Sequence, residues 1–559
     1  MEKNRLLHIQ DLSVSFRTKS GDTDAVNNVN IVLRAGDCLG VVGESGSGKS
    51  VTSLSILNLI YPNPNAVVSG KVLRYHDESS MDLLQLDEKA LSEIRGNDIS
   101  MVFQEPMSSL NPVKRCGSQI EEVLEIHNIV AKANRKERVL ELIHSVELPD
   151  AERIYRSYPH ELSGGQLQRV NIAMALAGDP KIMICDEPTT ALDVTVQKKI
   201  IELLKRIVTE RDIALIFVCH DLDLVAELCN RIVVMYNGDV VEQGQLPDTF
   251  HKPQSDYTRA LLACRPKPSY NDIRLPTVDR IISGQYEPVK RPIADIDKNN
   301  AVLTVENLVV KYRTNPLAIF QKKKYLTAVD EVSFTLYKGA VLGIVGESGS
   351  GKSTVAKCIC GVIPASEGLI TYEGRTIDSQ VLSSDKTLRR KIQIIFQDPY
   401  GSLNPRMRIG QAILEPIKYH KLHPGQARER VIQLLGDVGL NESYFDRYPH
   451  QLSGGQRQRV CIARALSVEP EILICDESVS ALDVSVQSQI LNLLDGLRSK
   501  YQLSIIFISH DLSVIHYISD EVIVMKNGKI VERGSADQII STPQESYTKE
   551  LISSMPVGV

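Results

Sequence analysis

The chain has 559 residues, of which 43% are hydrophobic and 24% are charged, and its net charge is −5. These values lie near the averages for globular proteins and exclude a disordered or fibrous chain, and no run of Lys and Arg is long enough to suggest a nucleic-acid-binding stripe. The start of the chain does not resemble a signal peptide, and no stretch of about 18 apolar residues follows, so we expect the protein not to enter a membrane by itself.

The sequence repeats itself. VVGESGSGKS at 41–50 returns as IVGESGSGKS at 344–353, and YPHELSGGQLQRV at 158–170 returns as YPHQLSGGQRQRV at 448–460. CDEPTTALDVTVQ, which begins at Cys185, likewise returns as CDESVSALDVSVQ from Cys475. Such a duplication predicts two equivalent domains, at 1–262 and 301–559. Between them, residues 263–300 contain five prolines and are predicted to form a semi-extended linker.

The apolar runs predict an α/β fold for each repeat. In chain order, the runs at Cys38–Val42 and Val341–Val345 each end in a glycine-rich turn, and the first is followed by a helical pattern at 50–60. This order is strand, phosphate-binding loop, helix. Continuous apolar runs are typical of strands that are buried on both faces of a largely parallel sheet. Further strands of this kind are predicted at 181–185, 214–219, 471–475 and 503–509.

GESGSGKS occurs once in each repeat, with the spacing GxxxxGK[ST]. Backbone N–H groups of such a loop wrap around phosphate oxygens, and the glycines permit the tight turn and the close approach. Lys49 and Lys352 are predicted to reach the β- and γ-phosphates of ATP, with Ser50 and Ser353 on Mg²⁺. The predicted ATP-contacting residues of the two loops are Gly43, Glu44, Ser45, Gly46, Ser47, Gly48, Lys49 and Ser50, and Gly346, Glu347, Ser348, Gly349, Ser350, Gly351, Lys352 and Ser353.

An acidic pair and a histidine follow later strands in both repeats. The Asp of each Asp-Glu pair lies at a strand's carboxyl end, where it can hold Mg²⁺ through water. The adjacent Glu can orient or deprotonate the attacking water, and the histidine that ends the next strand is predicted to contact the γ-phosphate. The two predicted sets are Asp186, Glu187 and His220, and Asp476, Glu477 and His510.

A glutamine and an aromatic residue complete each predicted site. Gln104 and Gln397 follow apolar runs that end in Phe, and they are predicted to contact the metal or water and so to sense the γ-phosphate. Phe16 and Tyr312 occupy equivalent positions and can stack on adenine. Core packing is the alternative interpretation for this aromatic pair.

LSGGQ, at 162–166 and 452–456, lies between the phosphate loop and the Asp-Glu strand, and it resembles the signature of ATP-binding-cassette (ABC) proteins. The resemblance extends over the whole chain except the linker. It implies two P-loop lobes, each with a largely parallel sheet, an antiparallel β subdomain and a helical subdomain. In that family the signature of one lobe closes over the ATP held by the other. This implies nucleotide contacts for Ser163, Gly164, Gly165, Gln166, Ser453, Gly454, Gly455 and Gln456.

FQEPMSSLNP and FQDPYGSLNP, together with SDYTRALL at 255–262 and ESYTKEL at 545–551, are similar to the ATP-binding subunits of oligopeptide, dipeptide and nickel importers. The resemblance implies an ATP-hydrolysing, energy-coupling subunit that uses ATP and Mg²⁺. Its implied partners are two transmembrane permease subunits and, through them, an extracytoplasmic solute-binding protein, with no nucleic acid. The implied location is the cytoplasmic face of the cell membrane, as a peripheral protein. The helical segments at 105–161 and 398–451 are expected to meet the permease.

The sequence departs from these relatives in two places. Some relatives carry a cysteine cluster after the first YT motif, where this chain has only Cys264, so an iron–sulfur site is not inferred. Ser478 stands where the first repeat has Pro188, and we expect it to tune the loop without abolishing hydrolysis. The ten cysteines include no CxxC pair, and most are predicted to be small core residues.

The sequence favours this type of importer over ATPases of translation, DNA repair and sugar import. A soluble tandem ATPase of translation resembles this chain in having two cassettes, but its linker is a long charged helix, whereas this linker is broken by prolines. Repair ATPases carry CxxC zinc sites, which are absent from the sequence. In fused sugar-importer ATPases one lobe is commonly degenerate, whereas both repeats here keep every motif. The cargo stays open among peptides, nickel chelates, glutathione and opines.

Overall fold

The computed structural model of the protein describes residues 4–18, 21–60, 63–76, 79–190, 192–266, 273–291, 296–314, 324–480 and 482–554. The chain divides into two compact units, and the boundary between them in the sequence lies after Ala263. We call the unit before this boundary lobe one and the unit after it lobe two. Each lobe has a mostly parallel sheet, an antiparallel sheet and a set of helices, which confirms the predicted fold class.

Two sheets form the frame of lobe one. Its strands are β1 (Arg5–Thr18), β2 (Gly21–Arg34), β3 (Cys38–Val42), β4 (Ala66–His76), β5 (Ser79–Asp82), β6 (Ile99–Val102), β7 (Ile182–Asp186), β8 (Ala214–Val218), β9 (Arg231–Tyr236) and β10 (Asp239–Gln245). The antiparallel sheet has the order β2-β1-β4-β5. The other has the order β10-β9-β3-β8-β7-β6, and in it β10 alone runs antiparallel to its neighbour.

Helices cover the mixed sheet of lobe one and form a separate group between β6 and β7. The helices are α1 (Lys49–Ile56), α2 (Glu88–Ile94), α3 (Pro106–Ser109), α4 (Cys116–Ile126), α5 (Arg135–Ser145), α6 (Ala151–Arg156), α7 (Gly164–Leu176), α8 (Val194–Arg211), α9 (Leu222–Leu228), α10 (Leu246–His251) and α11 (Asp256–Ala263). The group α3 to α6 lies within the predicted helical segment at 105–161.

Lobe two repeats this plan. Its strands are β11 (Ala301–Thr314), β12 (Lys324–Tyr337), β13 (Val341–Val345), β14 (Glu367–Tyr372), β15 (Arg375–Thr376), β16 (Ile392–Ile395), β17 (Ile472–Asp476), β18 (Ser504–Ser509), β19 (Glu521–Lys526) and β20 (Lys529–Ser535). The sheet orders are β12-β11-β14-β15 and β16-β17-β18-β13-β19-β20, which match those of lobe one strand for strand.

The helices of lobe two include one that precedes its first strand. They are α12 (Val278–Ile282), α13 (Lys352–Ile359), α14 (Ser379–Ser384), α15 (Lys386–Lys391), α16 (Ile409–Tyr419), α17 (Ala427–Asp437), α18 (Gly454–Leu466), α19 (Val484–Tyr501), α20 (Leu512–Ile518), α21 (Ala536–Ser541) and α22 (Ser546–Ser553). Across the described parts of both lobes, no helix is both long and apolar enough to cross a membrane.

The central strands are buried along their whole length. Every residue of β3, β7 and β8, and of β13, β17 and β18, is buried. Strands covered on both faces need no polar alternation, and this is why the sequence shows continuous apolar runs there. The predicted bounds of these strands were correct to within one residue.

Helix α1 ends earlier than the sequence predicted. The helical pattern at 50–60 suggested a stop at Pro62, but the helix ends at Ile56. Asn58 adopts the left-handed conformation, with φ of 50°, and its N–H donates to the carbonyl of Ser55 at 3.0 Å. Asn tolerates this conformation better than most residues, so the chain turns there before the proline is reached.

The described part of the predicted linker is packed on lobe two. Leu275 is buried in the core of that lobe. Its N–H donates to Oδ1 of Asn492 at 3.1 Å, and its carbonyl accepts from Nδ2 of the same side chain at 2.8 Å. A side-chain amide in α19 thus pairs with the backbone of the segment much as a neighbouring strand would.

Arg291 fixes the far end of this segment. Its Nε lies 3.0 Å from Oδ1 of Asp495, and the two side chains are only 9% and 2% exposed. The guanidinium also donates to the carbonyls of Tyr517 and Ile518, and it stands over the Tyr517 ring at 5.0 Å from the centroid. Residues 273–291 therefore belong to lobe two by packing and by charge pairing.

The cysteines are core residues, as predicted. Nine of the ten are buried, and Cys360 is half-buried. Burial raises the pKa of the Cys38, Cys116, Cys358 and Cys461 thiols above the ordinary value, which keeps them protonated at neutral pH.

Candidate functional site

The predicted site residues of lobe one lie at one edge of the mixed sheet. The phosphate loop follows β3, Gln104 follows β6, Asp186 ends β7 and His220 follows β8. These four strands belong to the parallel part of the sheet, so their carboxyl ends meet at the same edge. Lobe two places Gln397, the Asp-Glu pair and His510 in the same way after β16, β17 and β18.

Glycine is required at two positions of each phosphate loop. Gly43 has φ of 151°, and a Cβ there would lie 2.2 Å from the carbonyl of Met235. Gly48 has φ of 98°, and its Cβ would lie 2.5 Å from the carbonyl of Ala25. The loop is thus pressed against the backbone of β2 and β9. Gly346 and Gly351 meet the equivalent backbone in lobe two.

The loop lysine is buried and bonded to the loop itself. Nζ of Lys49 donates to the carbonyls of Gly43 at 2.7 Å and Glu44 at 2.8 Å. Lys352 makes the same bonds to the carbonyls of Gly346 and Glu347, at 2.7 Å and 2.9 Å. Each lysine is 4% exposed, so its positive charge lies inside the loop, where water screens it little.

The serine that follows the lysine is paired with the aspartate of the sheet edge. The Ser50 hydroxyl donates to Oδ1 of Asp186 at 3.0 Å, and the Ser353 hydroxyl donates to Oδ1 of Asp476 at 2.8 Å. Burial raises the pKa of Asp186 to about 6, against the opposing effect of the Ser50 hydrogen bond. Burial also raises the pKa of Asp476. Each pair thus places a hydroxyl oxygen and a carboxylate oxygen side by side, and both are hard metal ligands.

Glu187 lies in a cage of hydrogen-bond donors. Its Oε2 accepts from Nε2 of Gln104 at 2.9 Å and from the Thr190 hydroxyl at 3.0 Å, and it lies 3.3 Å from Nδ1 of His220. Burial acts to raise its pKa, but the bonds from His220 and Thr190 and the charge of Lys49 outweigh burial and lower the pKa to about 2. The carboxylate is therefore ionised at neutral pH.

The glutamate of each Asp-Glu pair has an unusual backbone conformation. Glu187 has φ of 46° and Glu477 has φ of 47°, a left-handed conformation that side chains rarely adopt. The N–H of Glu187 donates to the carbonyl of Val218 at 2.9 Å, and that of Glu477 to the carbonyl of Ile508 at 3.0 Å. The neighbouring strand thus holds a strained residue at the end of each Asp-Glu strand, as is common at functional sites.

The two lobes differ in how the glutamate is held. Nε2 of Gln397 donates to Oε2 of Glu477 at 2.8 Å, as in lobe one, but Nδ1 of His510 is farther from this oxygen, at 3.8 Å. Ser480, at the position of Thr190, donates to the backbone carbonyl of Glu477 at 2.9 Å and not to its carboxylate. In lobe two Nζ of Lys352 also lies 3.9 Å from Oε1 of Glu477, so the loop lysine is among the groups around this glutamate.

The signature residues begin long helices. Ser163 caps α7: its hydroxyl accepts from the N–H of Gln166 at 3.4 Å, and Oε1 of Gln166 accepts from the N–H of Ser163 at 3.2 Å. Ser453 and Gln456 form the same capping box at α18. These bonds tie the signature to its own helix. The glycines between the capping residues are Gly164, Gly165, Gly454 and Gly455.

The two predicted adenine-stacking residues lie on the antiparallel sheets. Phe16, on β1, is half-buried and packs partly against the core of lobe one. Tyr312, on β11, is 40% exposed. Core packing, the alternative interpretation, thus accounts for part of the Phe16 surface, and the exposed Tyr312 ring is accessible to a base.

Sequence reasoning missed two contacts. Thr190 was not assigned to the site, although its place three residues after Glu187 was visible in DEPTT. Tyr257 and Tyr547, in the two YT motifs, were used only as family markers, yet each accepts a hydrogen bond from a phosphate-loop N–H. Their recurrence at the spacing of the other repeated motifs was a usable signal.

A model of the family described as ABC transporter matches residues 26–190 and 329–480, together more than half of the chain. The chain belongs to the ABC transporter family. A second model, described as the oligopeptide/dipeptide transporter C-terminal region, matches residues 531–558. This confirms the resemblance to peptide-importer subunits.

Relatives of this ABC protein match it along its full length. The glutathione import ATP-binding protein GsiA of Escherichia coli O6:H1 (strain CFT073) is 42% identical, over 100% of this chain and 90% of that protein. The peptidoglycan transport ATP-binding protein YejF of Agrobacterium fabrum is 44% identical, over 98% of this chain and 96% of that protein. Among solved structures, cbiO1 of Clostridium perfringens is 30% identical, with a TM-score of 0.38, over 44% of this chain and 92% of its own.

These findings confirm the function predicted from the sequence, that of an ABC-type ATPase subunit of a transporter. The protein binds ATP and is a transport-coupled ATPase of the ABC family with two tandem domains.

Proposed function

We propose that this ABC subunit powers the import of peptides or related small solutes, of the oligopeptide, dipeptide, nickel or glutathione type. The observation that carries the proposal is the full-length similarity to proteins named for glutathione import and peptidoglycan transport, together with the C-terminal match at 531–558. Both lobes also keep a complete set of phosphate-loop, Asp-Glu, glutamine and histidine residues, which suits two working ATP sites.

The side chains at the sheet edge divide the work of hydrolysis. Lys49 neutralises charge on the β- and γ-phosphates while the loop N–H groups bind phosphate oxygens. Glu187, ionised with a pKa of about 2, orients the attacking water by accepting its hydrogen bond and does not retain a proton at neutral pH. Gln104 and His220 hold this carboxylate. Gln104 contacts the metal or water and so senses the γ-phosphate, and His220 contacts the γ-phosphate. Lobe two repeats these roles with Lys352, Glu477, Gln397 and His510.

The residues present fit a magnesium ion. Mg²⁺ prefers oxygen ligands and is usually held by a hydroxyl or one or two carboxylates together with substrate phosphates. The Ser50 hydroxyl and the Asp186 carboxylate, 3.0 Å apart, would supply such ligands, as would Ser353 and Asp476. Gln104 and Gln397 are further candidate ligands. When bound, Mg²⁺ supplies positive charge that offsets the charge developing on the phosphates.

The remaining proposed contacts are to the nucleotide and to other subunits. The signature residues at 163–166 and 453–456 contribute nucleotide contacts, and Phe16 and Tyr312 stack on adenine. Two transmembrane permease subunits, and through them an extracytoplasmic solute-binding protein, are the proposed partners. Association with such a permease places the protein at the cytoplasmic face of the cell membrane.

An uptake experiment tests the proposal. The gene is replaced in its host by a variant carrying Glu187→Gln and Glu477→Gln, and uptake of labelled glutathione, dipeptides, oligopeptides and nickel is measured. We expect uptake of at least one of these solutes to fall to the level of a deletion strain. The matched control carries Glu210→Gln and Glu373→Gln, two exposed glutamates that lie outside the motifs and outside the two helical segments expected to meet the permease, and should retain uptake. Normal uptake of all four solutes in the first variant would exclude the proposed function.

A further inference from the structure

The helix that ends each lobe contacts the phosphate loop of that lobe. Tyr257, on α11, accepts a hydrogen bond at 3.1 Å from the N–H of Glu44, the second residue of the loop. Tyr547, on α22, accepts the same bond at 3.1 Å from the N–H of Glu347. Both tyrosines are buried, at 3% and 4% exposure. The same tyrosine contact is therefore a feature of both lobes.

This contact fixes a residue that the loop lysine also holds. The carbonyl of Glu44 accepts from Nζ of Lys49 at 2.8 Å, while its N–H is bonded to Tyr257. The backbone of Glu44 is therefore held on one side by the terminal helix and on the other by the lysine. Since the N–H of Glu44 donates to the phenol, this one N–H of the loop is already engaged by the terminal helix.

The tyrosine helix is itself anchored to the edge of the mixed sheet. Glu242, on β10, accepts from the N–H groups of Gln254 at 2.9 Å and Ser255 at 3.0 Å, directly before α11. Glu532, on β20, accepts from the two N–H groups at 544 and 545, at 2.7 Å and 3.2 Å. Two charge-assisted bonds thus fix the loop that presents each tyrosine.

The ring of each tyrosine is held as well. In lobe one the ring of Tyr236 lies 4.2 Å from that of Tyr257, centroid to centroid. In lobe two Lys526 occupies the position of Tyr236, and its Nζ lies 4.2 Å from the Tyr547 centroid. Different chemistry thus supports the same phenol position in the two lobes.

We propose that Tyr257 and Tyr547 are positioning residues for ATP binding, which hold the second residue of each phosphate loop in the conformation that binds phosphate. A loop already fixed in its bound conformation loses less conformational entropy when the ligand binds, so the phenol raises ATP affinity without touching ATP. The inference rests on the proposed phosphate-binding role of the loops. It gives the two YT motifs a function in nucleotide binding.

The test is the full-length variant Tyr257→Phe with Tyr547→Phe, which removes two hydroxyl groups and keeps both rings. We expect the dissociation constant for ATP and the KM of hydrolysis to rise by about 2- to 10-fold, the effect of losing one ordinary hydrogen bond per site, with kcat within about twofold. Hydrogen exchange should quicken at the amides of Glu44 and Glu347. The unfolding temperature should match that of the control.

The matched control is Tyr155→Phe with Tyr501→Phe, which removes two partly buried hydroxyls that bond Glu121 and Asp437 outside the phosphate loops. An ATP affinity within about twofold of the control, or a loss of affinity equal in both, overturns the inference. Lys49→Ala with Lys352→Ala separates it from the proposed site. If this variant binds ATP normally, the proposed phosphate site fails; if it loses ATP binding while the tyrosine variant does not, only the tyrosine inference fails.

Discussion

Arg291→Ala should destabilise lobe two, although the residue lies in a segment that looks like a linker in the sequence. The Arg291 and Asp495 side chains are 3.0 Å apart and 9% and 2% exposed. Removing one partner of a buried ion pair leaves an uncompensated charge, at a cost of about 3 to 5 kcal/mol. Because Arg291 retains slight solvent access, water can partly replace it, and we expect a loss of about 3 kcal/mol in the free energy of unfolding of lobe two.

Hydrogen exchange of the backbone amides, measured at increasing urea concentration, would report this free energy lobe by lobe. The amides of β13, β17 and β18 report on lobe two, and those of β3, β7 and β8 serve as the internal reference in lobe one. Arg280→Ala, an exposed arginine on α12 in the same segment, is the matched control and should change stability by less than about 0.5 kcal/mol.

A double substitution sharpens the test. Arg291→Met with Asp495→Leu replaces the pair by apolar side chains, and it should recover most of the stability lost in Arg291→Ala. The reasoning is refuted if Arg291→Ala costs no more than Arg280→Ala. It is also refuted if the loss appears equally in the reference strands of lobe one, because the pair would then not act on lobe two in particular.

Three further predictions concern the ATP sites. Glu187→Gln and Glu477→Gln should each lower steady-state hydrolysis while ATP binding stays intact, because a positioned base contributes about 10² to 10⁴ in rate. Near-normal turnover in either variant would show that the substituted glutamate is not that base. Lowering the pH from about 8 to about 5 should raise the Mg²⁺ concentration needed for half-maximal hydrolysis. Burial raises the pKa of Asp186 to about 6, so this residue takes up a proton in that range while Glu187 stays ionised. A Mg²⁺ requirement that is independent of pH would contradict this. Gly43→Ala should lower ATP affinity by about tenfold or more, because the alanine Cβ would lie 2.2 Å from a backbone carbonyl of β9. An unchanged dissociation constant in an ATP titration would count against a rigid loop.

The sequence predicted those features whose signal is local. The phosphate loop is a contiguous motif, and the strands that flank it are buried on both faces, so their apolar runs are continuous. Each of Gln104, Asp186 and His220 ends or directly follows a predicted strand, and the parallel order of these strands in the structure brings the three residues to one edge of the sheet.

Contacts between residues far apart in the chain leave no such signal. Tyr257 meets Glu44 across 213 positions, and Arg291 meets Asp495 across 204. The YT motif recurs in both repeats but does not indicate Glu44 as the partner of its tyrosine, and the Arg291 contact produces neither a period nor a motif. Five prolines made the segment around Arg291 look detached. The early end of α1 at Ile56 was missed because the helical pattern continues to residue 60, whereas the chain turns at the left-handed Asn58.

The buried cysteines have a practical consequence for mapping the surface of this protein. Thiol reagents attack the thiolate, and burial both blocks access and raises the thiol pKa at Cys38, Cys116, Cys358 and Cys461. A single cysteine introduced at an exposed position of α4 or α16 should therefore be modified by a maleimide far faster than the native thiols. Site-directed crosslinking to a permease can accordingly be performed on the natural sequence, without first removing its ten cysteines.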